Sequence, residues 1–166
     1  MPAESLEDLF LIELKDVYDT EHRLLGALDE LSQQTTQEEA QQAFEEHREE
    51  TEQHIRNLEQ AFQALGEEPE REECEGIQGM IEETEEFFEE KEPAEQVANR
   101  YAIGAAQKTE RYEITAYENM LQWAQEADMD REIIEAIEAN LADEQSALRD
   151  LQRMAEEFDY QQIVAV

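Results

Sequence analysis

Four glutamates stand where an apolar residue belongs. Glu21, Glu50, Glu113 and Glu144 each interrupt the hydrophobic stripe of a separate predicted helix, near its middle. Four carboxylates turned into one core would repel one another and cost several kcal/mol per ion in desolvation unless something compensates. A metal ion compensates, and so do protons held in a hydrogen-bonded network. Oxygen donors with a few imidazoles suit iron or manganese, in a mononuclear or a dinuclear site. Two further residues join the candidate ligands. Glu110 lies one helical turn before Glu113 and shoulders the same face, and His54 lies one turn after Glu50.

Each of these residues has an alternative reading. A single inward glutamate can sit at the edge of its stripe and reach solvent. His47 and His54 can be core histidines hydrogen-bonded on a helix face as readily as ligands. Tyr18, Tyr101, Tyr112 and Tyr117 can hydrogen-bond a metal-bound oxygen but read first as core aromatics, and Trp123 reads as packing. The four glutamates make one site only if four helices carry them to one level.

Apolar residues recur at spacings of three and four over about residues 5–33, 37–65, 94–127 and 131–159, which predicts four long helices. Ser5 with Asp8 and Thr36 with Glu39 have the spacing of capping boxes. Gly66 and Pro69 close the second helix, and Pro93 suits the first turn of the third. Residues 67–93 form a long connection, with a short amphipathic helix of its own predicted over about 74–90, carrying Ile77, Met80, Ile81, Phe87 and Phe88. Short turns join the first helix to the second and the third to the fourth, so each pair is an antiparallel hairpin. The expected fold is all-α: a single domain over residues 1–166, a four-helix bundle with one long crossover between its second and third long helices, the connectivity of ferritin-like folds.

The hairpins allow a test of level. Glu21 and Glu50 are each about 14 residues from the first turn, and Glu113 and Glu144 each about 15 from the second, so both pairs fall about 22 Å from their turns at 1.5 Å per residue. All four therefore belong near mid-bundle. Ferritin-like dimetal sites draw a Glu from two helices and Glu-x-x-His from the other two. Here Glu50 and His54 are spaced by four instead of three, and Ala147 stands three residues after Glu144, where a histidine would complete the pattern.

Composition narrows the function classes. Against 46 Asp and Glu stand only 12 Lys and Arg, a net charge of −34. With no basic patch to release counterions, nucleic acid and anionic membranes are excluded as expected partners. Such a surface opposes compaction by self-repulsion, which salt above 1 M screens within about 3 Å; the expectation is a cytoplasmic protein of a salt-in halophile. Cys74 is the one cysteine, too few for a disulfide framework or a zinc cluster. No basic start with an apolar core marks a signal peptide, and no apolar run approaches the ~18 residues of a membrane span.

At Leu14–Leu28 (LKDVYDTEHRLLGAL), His47–Leu58 (HREETEQHIRNL), Ala105–Tyr117 (AAQKTERYEITAY) and Leu141–Leu151 around Asp143 and Glu144, the chain resembles the YciE/YciF family of ferritin-like stress-response proteins. The resemblance spans nearly the whole chain. It implies a ferritin-like bundle, a homodimer, and a dimetal centre with Glu21, Glu50, Glu110, Glu113, Glu144 and His54 as candidate ligands. Two readings of function follow. One is a carboxylate metal protein, of iron or manganese, handling iron, oxygen or peroxide under stress. The other is a metal-free bundle that acts through a protein partner or as a structural element, using the apolar residues of the crossover or the tail Tyr160–Val166.

Overall fold

The computed structural model describes residues 2–165 and contains five α-helices and a closing 3-10 turn. The helices are α1 (Leu6–Gln34), α2 (Glu38–Leu65), α3 (Glu75–Lys91), α4 (Glu95–Glu126) and α5 (Arg131–Glu157), with the 3-10 turn at Tyr160–Gln162. Contacts join α1 to α2, α2 to α5, α5 to α4 and α4 to α1, closing a ring of four long helices with α2 and α4 across a diagonal. The crossover helix α3 packs against α1 and α4. One groove of the bundle is thus covered, while among the described residues no crossover helix lies over the opposite groove, between α2 and α5.

Local chemistry sets the ends. Ser5 and Asp8 form the expected reciprocal capping box at the start of α1. Gly66 ends α2 in the left-handed conformation at φ 73°, which a glycine adopts without steric cost. Two expectations shift. Gln37, not Thr36, is the N-cap of α2, because Thr36 turns its hydroxyl outward to donate to Glu95 (2.8 Å) while its backbone N–H donates to buried Asn99 (2.8 Å). That clamp ties the α1–α2 turn to the start of α4. Pro93 precedes the N-cap Ala94 and so lies outside α4 instead of in its first turn.

The loop between α2 and α3 is held by one buried carboxylate. Asp19 on α1 accepts from Arg23 (2.6 Å), Arg71 (2.9 Å) and the backbone N–H of Cys74 (3.0 Å), satisfying the charge that burial would otherwise penalise. Cys74 is buried, and its thiol lies 3.2 Å from the Tyr112 hydroxyl. Gly76 must stay small beside that pair: an added Cβ would stand 2.7 Å from the Tyr112 hydroxyl.

Two apolar clusters fill the bundle. One, at the α4–α5 turn end, holds large side chains that include Phe10, Leu14, Phe62, Tyr117, Met120 and Ile137. The other, toward the α1–α2 turn, has many small ones: Ala40, Ala102, Ala105, Ala106 and Ala155 with Phe44 and Leu151. Between them lies a polar layer. No helix among the described residues is long and apolar enough to cross a membrane.

Candidate metal centre

The polar layer takes residues from all four long helices. Glu21 comes from α1, His47, Thr51 and His54 from α2, Glu110, Glu113 and Tyr117 from α4, and Asn140 and Glu144 from α5. Glu21, His54 and Glu144 are 0 % exposed, Glu110 and Glu113 1 %, and His47 5 %. Five of the six candidates from sequence therefore converge: Glu21, His54, Glu110, Glu113 and Glu144.

Their donor atoms fall into two groups, each within 4.8 Å: His47, Glu110, Glu113 and Glu144 in one, Glu21, His54 and Glu144 in the other. Glu144 belongs to both. His47 Nε2 stands 2.9 Å from a Glu110 oxygen and 3.2 Å from Glu144. His54 Nδ1 stands 3.1 Å from Glu144 and 3.4 Å from Glu21. None of these four approaches has the alignment of a hydrogen bond. His47 Nε2, His54 Nδ1, both oxygens of Glu113 and of Glu144, and one oxygen each of Glu21 and Glu110 are buried with no hydrogen-bond partner. Buried polar atoms are normally partnered, so eight orphans gathered at one level require an explanation.

Glu50 departs from the expectation. Its side chain is 44 % exposed, and it lies outside both groups. The inward phase of α2 runs His47, Thr51, His54, Leu58, with Thr51 at the slot that the hairpin count gave to Glu50. One residue is 100° of helix, enough to turn a carboxylate from the core to its edge. Glu50 instead faces the outer nitrogen of His47, with Oε2 at 3.1 Å from Nδ1. His54 is treated alike: its outer Nε2 lies 3.2 Å from half-exposed Asp143. An outer carboxylate on each ring holds a proton on the outer nitrogen and turns the inner nitrogen toward the layer. Sequence reasoning left His47 out of the ligand set. Its signal was present as two histidines seven residues apart on one face of α2.

One edge of the layer is closed by a directed chain of hydrogen bonds. Asn57 donates to the Asn140 carbonyl (2.7 Å), and the Asn140 amide donates to the Tyr117 hydroxyl (3.1 Å) and the His54 backbone carbonyl (3.3 Å). Since Tyr117 accepts from Asn140, its own proton goes to Glu21, with which it makes a short contact. One Glu21 oxygen is thereby fixed and the other is left free to face the layer.

The electrostatics of the polypeptide alone balance by protons. Burial, then the Glu144 charge, drives the Glu110 and Glu113 carboxyls well above the usual range. Burial also raises Glu21, against the pull of His54. Burial opposes charge on the two imidazoles, but the carboxylates outweigh it: His47 is raised well above its ordinary value by Glu110 and Glu144, and His54 is pushed up to about 11 by Glu21 and Glu144. Burial would raise Glu144 too, yet the two imidazolium rings hold it well below. These donors could hold a metal ion: carboxylate oxygens and imidazole nitrogens, inward-facing, preoriented and unpartnered.

Comparison with known proteins accords with this architecture. Residues 5–163 match a family model described as a domain of unknown function, DUF892. The chain is 36 % identical over 118 residues to protein YciF of Escherichia coli strain K12, covering 70 % of each. A crystal structure of the E. coli stress protein YciF superposes with a TM-score of 0.86 at 31 % identity, over 93 % of this chain and 96 % of that one. A Rhodopseudomonas palustris protein, YcfI, named as a candidate structural protein, superposes with a TM-score of 0.85 at 32 % identity, over 98 % and 96 %.

Proposed function

Taking as premise that the chain belongs to the DUF892 family, we propose that it is a ferritin-like carboxylate metal protein of the iron or manganese type, serving iron, oxygen or peroxide handling under stress. The observation that carries this reading is the set of eight unpartnered, buried donor atoms pointing at one another across the layer. His47, Glu110, Glu113 and Glu144 would hold one ion, and Glu21, His54 and Glu144 a second. A bound redox metal supplies Lewis acidity and electron transfer. The chain supplies the rest. Tyr117 orients Glu21, Glu50 and Asp143 orient the histidines, and the two apolar clusters keep bulk water from the carboxylates. The stress association rests on the name of the E. coli relative, 31 % identical in sequence over the superposed structures.

Metal analysis after native purification, and again after anaerobic Fe(II) addition, tests the proposal, with Glu113→Ala and Glu144→Ala alongside. The expected result is bound transition metal in the parent and its loss in both variants. A parent protein that takes up none overturns the reading.

The name given to the R. palustris relative, a structural protein, leads to a second reading, a bundle with a structural role, for which we would expect no metal. A homodimer in the cytoplasm suits either, and exposed Leu6, Ile12, Val97 and Val164 offer apolar surface for it. Light scattering would report the mass. The charge of −34 supports the halophile reading, for which melting temperature should climb from dilute buffer to multimolar KCl; a flat profile rejects it.

A further inference from the structure

One cavity reaches the metal layer from outside. It has a volume of about 60 Å³ and enters through the α2–α5 groove, between Glu46 and Glu50 on one side and Ser146 and Asp150 on the other. Its walls are Ala43, Ala106 and Ala147 with Phe44, Leu28 and Leu151, and at its inner end lie His47 and Glu110. A water needs roughly 10–15 Å³ of such space, so there is room for a molecule somewhat larger. Alanine walls alone would mean little. Here Glu110 and His47, 1 % and 5 % exposed, close the inner end, and each carries a buried donor atom without a partner just behind it. Ala147 explains the room: a histidine three residues after Glu144 would stand in this space.

We infer that this cavity is a docking site for a neutral molecule of two or three heavy atoms, delivered beside His47 and Glu110 and denied to the Glu21–His54 side. The acidic mouth disfavours anions, and the apolar walls disfavour strongly hydrated solutes. On the other side Tyr117 and Asn140, both 0 % exposed, fill the corresponding space. The asymmetry makes the two donor groups chemically unequal: one is open to an incoming ligand, the other is sealed. The inference rests on the metal reading only for what the docked molecule would meet.

Two probes separate the claims. Xenon needs no metal: on the metal-free protein it should shift the methyl signals of Ala43, Ala106 and Ala147, and Ala147→Leu should abolish the effect while Ala142→Leu, on the exposed face of α5, keeps it. Nitric oxide tests the delivery: with Fe(II) loaded, Ala147→Leu should keep the parent's iron content yet bind nitric oxide about tenfold more weakly by its electron spin resonance signal. A parent protein that shows no xenon effect at these methyls overturns the docking site, whatever its metal content. So does an Ala147→Leu protein that binds nitric oxide like the parent. Xenon binding in a protein that never takes up iron rejects the metal reading and sustains the docking site.

Discussion

The two ends of the polar layer differ in how they are packed. Around Glu21 and His54 the space is occupied by Tyr117 and Asn140, whose hydrogen bonds run in one direction to the Glu21 carboxylate. Around His47 and Glu110 three alanines stand among Leu28, Phe44 and Leu151, and a cavity opens to the α2–α5 groove. The same helices thus build a sealed end with fixed ligands and an accessible end with room beside them, and Glu144 joins the two. A rigid anchor and a free approach are thus divided between two donor groups.

The largest break is at the shared residue. Glu144→Ala should remove both donor groups at once and abolish metal binding, read as metal per protomer, whereas any change confined to one end should leave about half. Tyr117→Phe is that confined change. It deprives Glu21 of its donor and Asn140 of an acceptor, so metal affinity at the sealed end should fall about 10–100-fold while the open end keeps its ion. The one Asn140 N–H left without an acceptor should also cost about 1–3 kcal/mol in denaturant melts, while the other keeps the His54 carbonyl. Glu50→Gln and Asp143→Asn are milder and opposite: the first should weaken the open end and the second the sealed end, each about tenfold, in competition titrations with a chelator.

The smallest and broadest effect is on pH. In the metal-free protein His54 is raised from 6.5 to about 11, so its contribution to stability is complete below pH 6.5 and lost as pH climbs toward 11. The raised carboxyls of Glu110 and Glu113 act in the same sense from pH 4.5 upward, since burial disfavours their charged forms. Melting temperature of the metal-free protein should therefore decline as pH rises above 6.5. Metal loading expels those protons and should flatten or reverse the slope. Equal slopes with and without metal would show that the layer does not exchange protons for ions.

The bundle was legible because its signals are local. Spacings of three and four, Gly66, the Ser5 box and the acidic turn at Asp128–Asp130 fix where helices begin and end, and the hairpin count placed the layer at mid-bundle. The crossover helix, expected over about 74–90, runs Glu75–Lys91. What local signals could not carry was phase within one residue and contact across the chain. Whether Glu50 or Thr51 points inward is decided by how α2 rolls against α1 and α5, which the stripe leaves open by 100°. The Thr36–Glu39 box failed because Asn99 and Glu95, more than fifty residues away, compete for Thr36. Tyr117 was one of four tyrosines that could reach the site, but nothing local singled it out or pointed to Glu21, 96 residues distant, as its partner.

Each donor group draws on both hairpins. His47 needs Glu110, Glu113 and Glu144, and Glu21 with His54 needs Glu144. The hairpins α1–α2 and α4–α5 are short-range units that can form early, before the layer exists. An ion captured between them would therefore act after the rate-limiting encounter, leaving the speed of folding nearly unchanged and lengthening the lifetime of the folded state. Metal would be a lock on separation of the two hairpins, visible in the unfolding arm of a chevron and not in its folding arm.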